Sequence, residues 1–143
     1  MENIVVCGIG NRMRGDDSLG PRVIDALKGR TEAMLIDCGE APESFLGKIE
    51  KARPERIIIV DAVQMDKSVG AIEIIDTKKI KGVVMSSHNI PMTLFLEYLD
   101  TRVKCEIIFL GIQPKSIEFN QEISSECRKA VPKAADRILE MCE

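Results

Sequence analysis

The sequence predicts an α/β protein of three layers, in which helices cover both faces of a five-stranded, mostly parallel, twisted sheet with one antiparallel strand. Short apolar runs alternate along the chain with helical patterns, and several runs are nearly continuous in β-branched residues, as in Ile57-Ile58-Ile59-Val60. Runs of this kind are typical of strands that are buried on both faces. Only residues 64–70 separate the third and fourth runs, which is too short for a helical crossover, so we expect the fourth strand to be antiparallel and near an edge.

The individual elements follow from periodicity. In the first helix Leu19, Val23, Ala26 and Leu27 recur at helical spacing and share one face. Pro132 interrupts the pattern of the last helix, which predicts a kink or a division into two shorter helices. The predicted strands span residues 4–9, 33–38, 56–63, 71–76 and 105–112, and the predicted helices span residues 19–28, 43–51, 90–100 and 122–141.

Length and composition indicate one ordinary globular domain over residues 1–143. A net charge of −3 offers no basic surplus to neutralise phosphates, so we expect no nucleic-acid partner. No apolar run is long enough to span a bilayer and no secretory leader is visible, so we expect a cytoplasmic protein without membrane insertion. Five scattered cysteines argue against a disulfide framework or a structural zinc site, although a single cysteine nucleophile stays open.

Acidic residues gather where the first three predicted strands finish. Asp16 and Asp17 come after the first strand, Asp37 after the second, and Asp61 after the third. Parallel strands place their carboxyl ends at one edge of the sheet, so these carboxylates should converge. Any one of them alone is better explained as a turn or helix-capping residue. Three acidic positions at the same edge make a binding or catalytic site at least as good an explanation.

His88 is the only histidine in the chain, and it lies in a polar Ser-Ser-His-Asn turn before an apolar helix. The positive potential at a helix N-terminus favours neutral imidazole, which is the form that binds metals. A solitary histidine is more often a structural residue. Together with two carboxylates, however, it would suit a borderline ion such as nickel or zinc, although so small a ligand set predicts weak binding.

The spacing Gly8-x-Gly10 after the first strand also invites a dinucleotide-binding interpretation. The third glycine of that motif is replaced by Met13, and the adjacent acids Asp16 and Asp17 would repel a pyrophosphate. We therefore disfavour a nucleotide cofactor.

Taken together, these segments resemble the endopeptidases that mature the large subunit of nickel–iron hydrogenases, and most closely the branch that serves hydrogenase-3-type enzymes. The matching segments keep the family's order and spacing over nearly the whole chain. They are G-x-G-N-x-x-x-G-D-D-x-x-G at residues 8–20, I-D-x-G-x-A-P-E at 36–43, V-D-A at 60–62, S-H-N-x-P-M at 87–92 and F-L-G-I-Q-P at 109–114.

The resemblance implies roles for particular residues. The family's metal-contacting positions fall on Asp17, Asp61 and His88, and its catalytic acids on Asp17, with Asp16 as the partner acid and Asp37 as an aspartate that influences cleavage. The metal would be nickel carried by the substrate, so no permanently bound metal is expected. Ser18 departs from the pattern, since many relatives carry glycine directly after the acid pair, and we expect this residue to alter the flexibility of the loop.

The implied function is removal of a C-terminal extension from a nickel-loaded [NiFe]-hydrogenase large-subunit precursor, by a protein that we expect to be a monomer. Asp16 or Asp17 would be the general base if nickel polarises the scissile carbonyl; otherwise nickel serves only for docking and the carboxylates transfer the protons. A nickel-sensing or nickel-delivery protein that does not cut the precursor is the main alternative. We expect Met13 in the loop to contact substrate and Met92 to be part of the core.

Overall fold

The computed structural model describes residues 3–78, 84–85 and 92–143. Two 3₁₀ turns, Gly15–Ser18 and Pro42–Phe45, lead directly into the first two helices. The strands are β1 (Ile4–Ile9), β2 (Met34–Gly39), β3 (Arg56–Gln64), β4 (Ile72–Ile75), β5 (Val84–Met85) and β6 (Glu106–Ile112), and the helices are α1 (Leu19–Leu27), α2 (Leu46–Ala52), α3 (Met92–Tyr98) and α4 (Ser125–Met141).

Five strands form the main sheet in the order β2-β1-β3-β6-β4. The first four are parallel, and β4 pairs antiparallel with β6 at the edge, with Ile74 opposite Leu110. Both the antiparallel direction and the edge position of β4 confirm the prediction made from the short connection before it. The reason is geometric, because residues 65–71 suffice for a tight return but not for a crossover.

One strand pairing was not predicted. The two-residue β5 pairs antiparallel with the end of β3, where Val63 lies opposite Met85. The pairing lies near the end of β3, which runs to Gln64, one residue beyond the predicted strand. Asp61 lies within β3 and does not follow its end. A pair of residues has no periodicity of its own, which is why the sequence did not reveal it.

Helices cover both faces of the sheet, as predicted. Successive strand residues point to opposite faces, and Val6 and Ile58 pack with α1 and α4, whereas Val5 and Ile57 pack with α2 and α3. Met92 is buried in the second of these cores, as expected. The strands buried on both faces are therefore the near-continuous apolar runs of the sequence.

The starts of α2 and α4 both lie later than predicted, and α4 begins at Ser125 and not at residue 122. The chain from Pro42 to Phe45 is a 3₁₀ turn, so α2 begins only at Leu46. The predicted division of α4 at Pro132 is wrong, because the helix continues through the proline. Pro132 and Arg128, whose carbonyl loses its helical partner, are both exposed, so water can satisfy that carbonyl.

The third helix ends in a wider π-type turn, Leu99–Val103, and its predicted start at residue 90 lies outside the described residues. Within the part of the chain that the structure describes, no helix is long and apolar enough to cross a membrane.

Candidate functional site

The carboxyl ends of the parallel strands meet at one edge, and two of the predicted site residues lie there in fully buried positions. Asp17 belongs to the Gly15–Ser18 turn after β1, and Asp61 belongs to β3; each is 0% exposed. The turn packs against β3, so the first-strand and third-strand acids share one neighbourhood. Buried carboxylates are costly and occur where partners or ligands compensate them.

The residues between Gly10 and Ser18, called the acidic turn from here on, depend on glycine for their position. At Gly20, a Cβ atom would overlap the carbonyl oxygen of Ile9 and approach that of Val60. This lets the first turn of α1 lie directly on β1 and on the residue that precedes Asp61. The close approach explains why the acidic turn can bring its carboxylates so near to β3.

Backbone hydrogen bonds close the acidic turn on itself. Gly10 has a φ of 146°, a conformation that L side chains rarely adopt, and its N–H donates to the carbonyl of Gly39 at 2.9 Å. The N–H of Asn11 donates both to the carbonyl oxygen of Asp17 at 3.1 Å and to its Oδ2 at 3.2 Å. The Asp17 side chain is thus aligned by the backbone of its own turn.

Asp16 faces the opposite side of the turn and is 1% exposed. Its Oδ2 accepts hydrogen bonds from the backbone N–H of Lys115 at 2.7 Å and from the hydroxyl of Ser124 at 2.9 Å, and its Oδ1 accepts from the backbone N–H of Ser124 at 2.7 Å. Burial alone would raise the pKa of Asp16, but the hydrogen bonds from Ser124 and Lys115 outweigh it and hold the pKa below its ordinary value. The carboxylate is ionised and held by the neighbouring loop.

Asp37 lies within β2 at the same edge, but it is partly exposed and engaged in an ion pair. The guanidinium of Arg12 contacts Asp37 Oδ2 at 2.9 Å and also binds both oxygens of Asp25, at 2.7 and 3.0 Å. These contacts raise the pKa of Arg12, and its hydrogen bond lowers the pKa of Asp25. Asp37 is therefore joined to the acidic turn by its ion pair with Arg12.

Ser18, the residue that departs from the family pattern, is fully buried. Its hydroxyl donates to the carbonyl of Gly15 at 2.7 Å and accepts from the Nε of Arg22 at 2.9 Å. Both bonds brace the 3₁₀ turn that carries Asp17. A glycine at this position could make neither bond.

The predicted third metal contact, His88, lies outside the described residues. Among residues 3–78, 84–85 and 92–143, no group of three or more histidine, cysteine, aspartate or glutamate side chains is arranged to hold a metal ion. Asp17 and Asp61 are the two predicted metal contacts that the structure describes.

The chain is similar to known proteins in both sequence and fold. A family model described as hydrogenase maturation protease matches residues 21–141. The chain belongs to the hydrogenase maturation protease family. Its activity is that of an endopeptidase, as in its relatives.

Individual relatives match over nearly their full length. The hydrogenase 3 maturation protease of Escherichia coli K12 is 35% identical, with 96% of this chain and 89% of the relative covered. A putative hydrogenase maturation protease of Methanocaldococcus jannaschii is 34% identical over 99% of this chain and 89% of the relative. The crystal structure of a [NiFe] hydrogenase maturation protease from Thermococcus kodakarensis, 35% identical, superposes with a TM-score of 0.87 and covers 99% of this chain and 92% of that one.

Cys127, the cysteine near the acidic turn of this protease, is not activated as a nucleophile. The thiol of Cys127 donates to the carbonyl of Gln113 at 3.4 Å, and burial together with the nearby Asp16 raises its pKa to about 11. A protonated thiol is a poor nucleophile at neutral pH. This removes Cys127 from the alternatives that the sequence left open.

Two residues of the protease that the sequence analysis gave no role stand out at this edge. Gln113 is buried, and its Oε1 accepts from the N–H of Met65 at 2.7 Å, so it orders the chain after β3. Glu43, in the turn after β2, has a buried Oε2 that accepts no hydrogen bond within the described residues. Both residues lie in segments that match the family motifs, and the sequence contains no other indication of a role for them.

A cavity of about 780 Å³ lies at the opposite edge of the sheet, lined by residues that include Ile4, Met34 and Cys142. It adjoins the amino ends of β1 and β2. Open parallel sheets bind their ligands at the carboxyl ends, so the acidic edge and not this cavity is the candidate active site of the protease.

Proposed function

We propose that this protease removes the C-terminal extension of a nickel-loaded [NiFe]-hydrogenase large-subunit precursor and that it recognises the nickel of its substrate. The observation that carries the proposal is the pair of buried carboxylates, Asp17 and Asp61, on adjoining elements of a hydrogenase maturation protease. Nickel accepts carboxylate oxygen and imidazole nitrogen as ligands. His88, the residue of the same motif set before α3, would complete the contacts.

Nickel belongs to the substrate in this scheme. Two carboxylates and one imidazole leave coordination positions for the ligands with which the precursor already holds its metal. A substrate that lacks nickel would forgo these contacts and would bind more weakly. Recognition of nickel therefore also serves as a check that the precursor has been loaded.

Two roles for the nickel are compatible with this geometry. In the first, it polarises the scissile carbonyl or a water molecule, and a carboxylate of the acidic turn accepts the proton. In the second, it only docks the precursor, and the carboxylates perform both proton transfers. The two schemes differ in whether the nickel takes part in the chemical step or only in binding.

The decisive experiment combines the purified protein with nickel-loaded and with metal-free precursor and measures the precursor's mass. We expect shortening of the nickel-loaded form only. Asp17→Asn should lower the cleavage rate by about 10²-fold or more, the magnitude that is typical for loss of an acid–base or charge-stabilising group. His88→Ala and Asp61→Asn should act in the same direction.

Asp136→Asn is the matched control, because Asp136 is an exposed aspartate on α4 whose ion pair with Arg30 lies away from the acidic turn. It should cleave at the wild-type rate. A precursor that binds the wild-type protein and keeps its full mass would refute proteolysis and favour the nickel-delivery alternative. Equal cleavage of both precursor forms would refute nickel recognition while leaving proteolysis in place.

A further inference from the structure

The two adjacent aspartates of the acidic turn have different surroundings. The carboxylate of Asp16 accepts hydrogen bonds from Lys115 and from both the backbone and the hydroxyl of Ser124, with a longer contact from the N–H of Ser116 at 3.4 Å. Each of its two oxygens is thus engaged by the protein. A substrate that needed a proton transferred at either oxygen would first have to displace these donors.

The donors all come from the 114–124 loop, which joins β6 to α4. Ser124 is the N-cap of α4, and its hydroxyl also accepts from the N–H of Cys127 at 3.3 Å. One carboxylate thereby connects the acidic turn to the start of the longest described helix. Because α4 packs on α1, this connection reaches the rigid core of the protein.

Backbone hydrogen bonds run beside the Asp16 carboxylate and join the same two segments. The N–H of Gly15 donates to the carbonyl of Gln121 at 3.1 Å, and that of Asp16 donates to the carbonyl of Ser116 at 2.8 Å. On the outer side, the N–H of Asn120 donates to the carbonyl of Met13 at 2.7 Å. The acidic turn and the 114–124 loop are therefore bound as one unit, and the Asp16 carboxylate is its buried centre.

Asp17 follows directly, and its position depends on this unit. Its N–H donates to the carbonyl of Arg14 at 2.9 Å, and its own oxygens receive the N–H of Asn11. A change in the backbone at Asp16 passes through one peptide bond to Asp17. Because the turn is so short, little else can absorb that change.

We propose that Asp16 is a positioning residue, which holds the 114–124 loop against the acidic turn and thereby sets the orientation of Asp17, while Asp17 contacts the substrate. The expected effect on cleavage rests on the proposed function. The expected effect on the structural order of the acidic turn does not. It distinguishes the roles of two adjacent acids that share one sequence motif.

The test compares Asp16→Ala and Asp16→Asn by kcat and KM on nickel-loaded precursor, well below each variant's Tm. Misplacement of a reacting group by about 1 Å costs up to roughly 100-fold, so we expect Asp16→Ala to lower kcat by about 10- to 100-fold. Asparagine keeps an acceptor for Ser124 and should restore part of that loss. If Asp16 transferred the proton, asparagine would be as inactive as alanine, and that result would overturn the proposal.

Ile138→Ala separates positioning from a general loss of stability. Ile138 is fully buried on α4 but lies in the core between α4 and the sheet. It should lower Tm as Asp16→Ala does while leaving kcat near the wild-type value. An Asp16→Ala protein with unchanged kcat would also overturn the proposal. Should Asp16→Ala fail to fold, Ser124→Ala removes one of the same hydrogen bonds and should lower kcat a few-fold.

Amide hydrogen exchange provides a readout that does not need cleavage. In Asp16→Ala we expect exchange at Asn11 and Asp17 to accelerate by about 10-fold or more relative to Ile58 in the core strand β3, because the turn opens locally. If wild-type protein does not cut the precursor, the proposed function fails, and this ratio still decides whether Asp16 orders the turn. An unchanged ratio refutes the positioning role.

Discussion

The acidic turn is held at both of its sides by carboxylates, and the two sides differ in their exposure to water. On the α4 side, the buried Asp16 accepts hydrogen bonds from Lys115 and Ser124. On the β2 side, Arg12 bridges Asp25 and Asp37, with side chains that are 47%, 43% and 35% exposed. Each side has several short polar contacts, so the number of hydrogen bonds does not distinguish the two sides.

Burial makes the difference between the two sides. Water can replace the partners of an exposed ion pair, which is why such pairs contribute little. A buried backbone N–H that loses its acceptor has no substitute and bears the full cost of desolvation. We therefore infer that the buried hydrogen bonds on the α4 side determine the structure of the turn. The exposed ion pairs of Arg12 on the β2 side mainly affect the electrostatic potential around it.

The largest expected effect is on the buried side. Asp16→Ala leaves the N–H groups of Lys115 and Ser124 without their acceptor, at about 1–3 kcal/mol for each unsatisfied group. We expect a loss of about 3 kcal/mol in the free energy of unfolding, measured by urea denaturation at neutral pH. A loss below about 1 kcal/mol would show that water enters and would remove the contrast between the two sides.

Acidification tests the same contrast through charge. Because the folded-state pKa of Asp16 lies below its ordinary value of 3.8, the unfolded chain binds the proton more readily. The stability that this carboxylate provides is complete above that value and declines as the pH falls below it. The difference in unfolding free energy between wild type and Asp16→Ala should therefore shrink in that range. The corresponding difference for Asp25→Asn should be smaller at every pH, because the lowered pKa of Asp25 comes from an exposed ion pair that water screens. If the difference in unfolding free energy between wild type and Asp16→Ala does not depend on pH, the ionised Asp16 carboxylate is not the stabilising group.

A smaller effect is expected at the helix cap. Ser124→Ala removes the hydroxyl that caps α4 and donates to Asp16, while the backbone N–H of Ser124 still donates to the carboxylate. N-cap replacements of this type cost about 1 kcal/mol. Ser125→Ala, one residue later and exposed, is the control and should be nearly neutral in the same urea titration.

The smallest effect belongs to the exposed side. Arg12→Gln should change the free energy of unfolding by less than about 1 kcal/mol at neutral pH, and the change should diminish at high salt. Measurement in low and high sodium chloride checks both statements. A large loss that does not depend on salt would mean that Arg12 supports the turn as strongly as Asp16 does.

The parallel strands and their common acidic edge could be predicted from the sequence because they follow from local patterns. Continuous β-branched runs such as residues 57–60 are typical of strands buried on both faces, and the brief connection before β4 is too short for a helical crossover. The edge position of Asp17 and Asp61 follows from that topology. The uninterrupted α4 could not be predicted, because the packing of its apolar face offsets the local penalty of Pro132.

The contacts of each acid lay beyond the sequence. Asp16 and Asp17 are neighbours of the same type in one motif, and nothing local indicates that one faces the 114–124 loop, about a hundred residues away. The association of Arg12 with Asp25 and Asp37 is likewise a product of the folded chain. The predicted contacts of His88 lie outside the described residues and stay a prediction.

The sequence by itself determined the α/β fold, the family and the edge at which the chemistry lies, because these depend on hydrophobic periodicity, connection length and motif spacing. The tertiary structure decided which acid is held by the protein and which is oriented by its own turn. That decision depends on burial and on hydrogen bonds between distant segments, and it separates the surroundings of Asp16 from those of Asp17. Such contacts exist only after the sheet has brought the segments together.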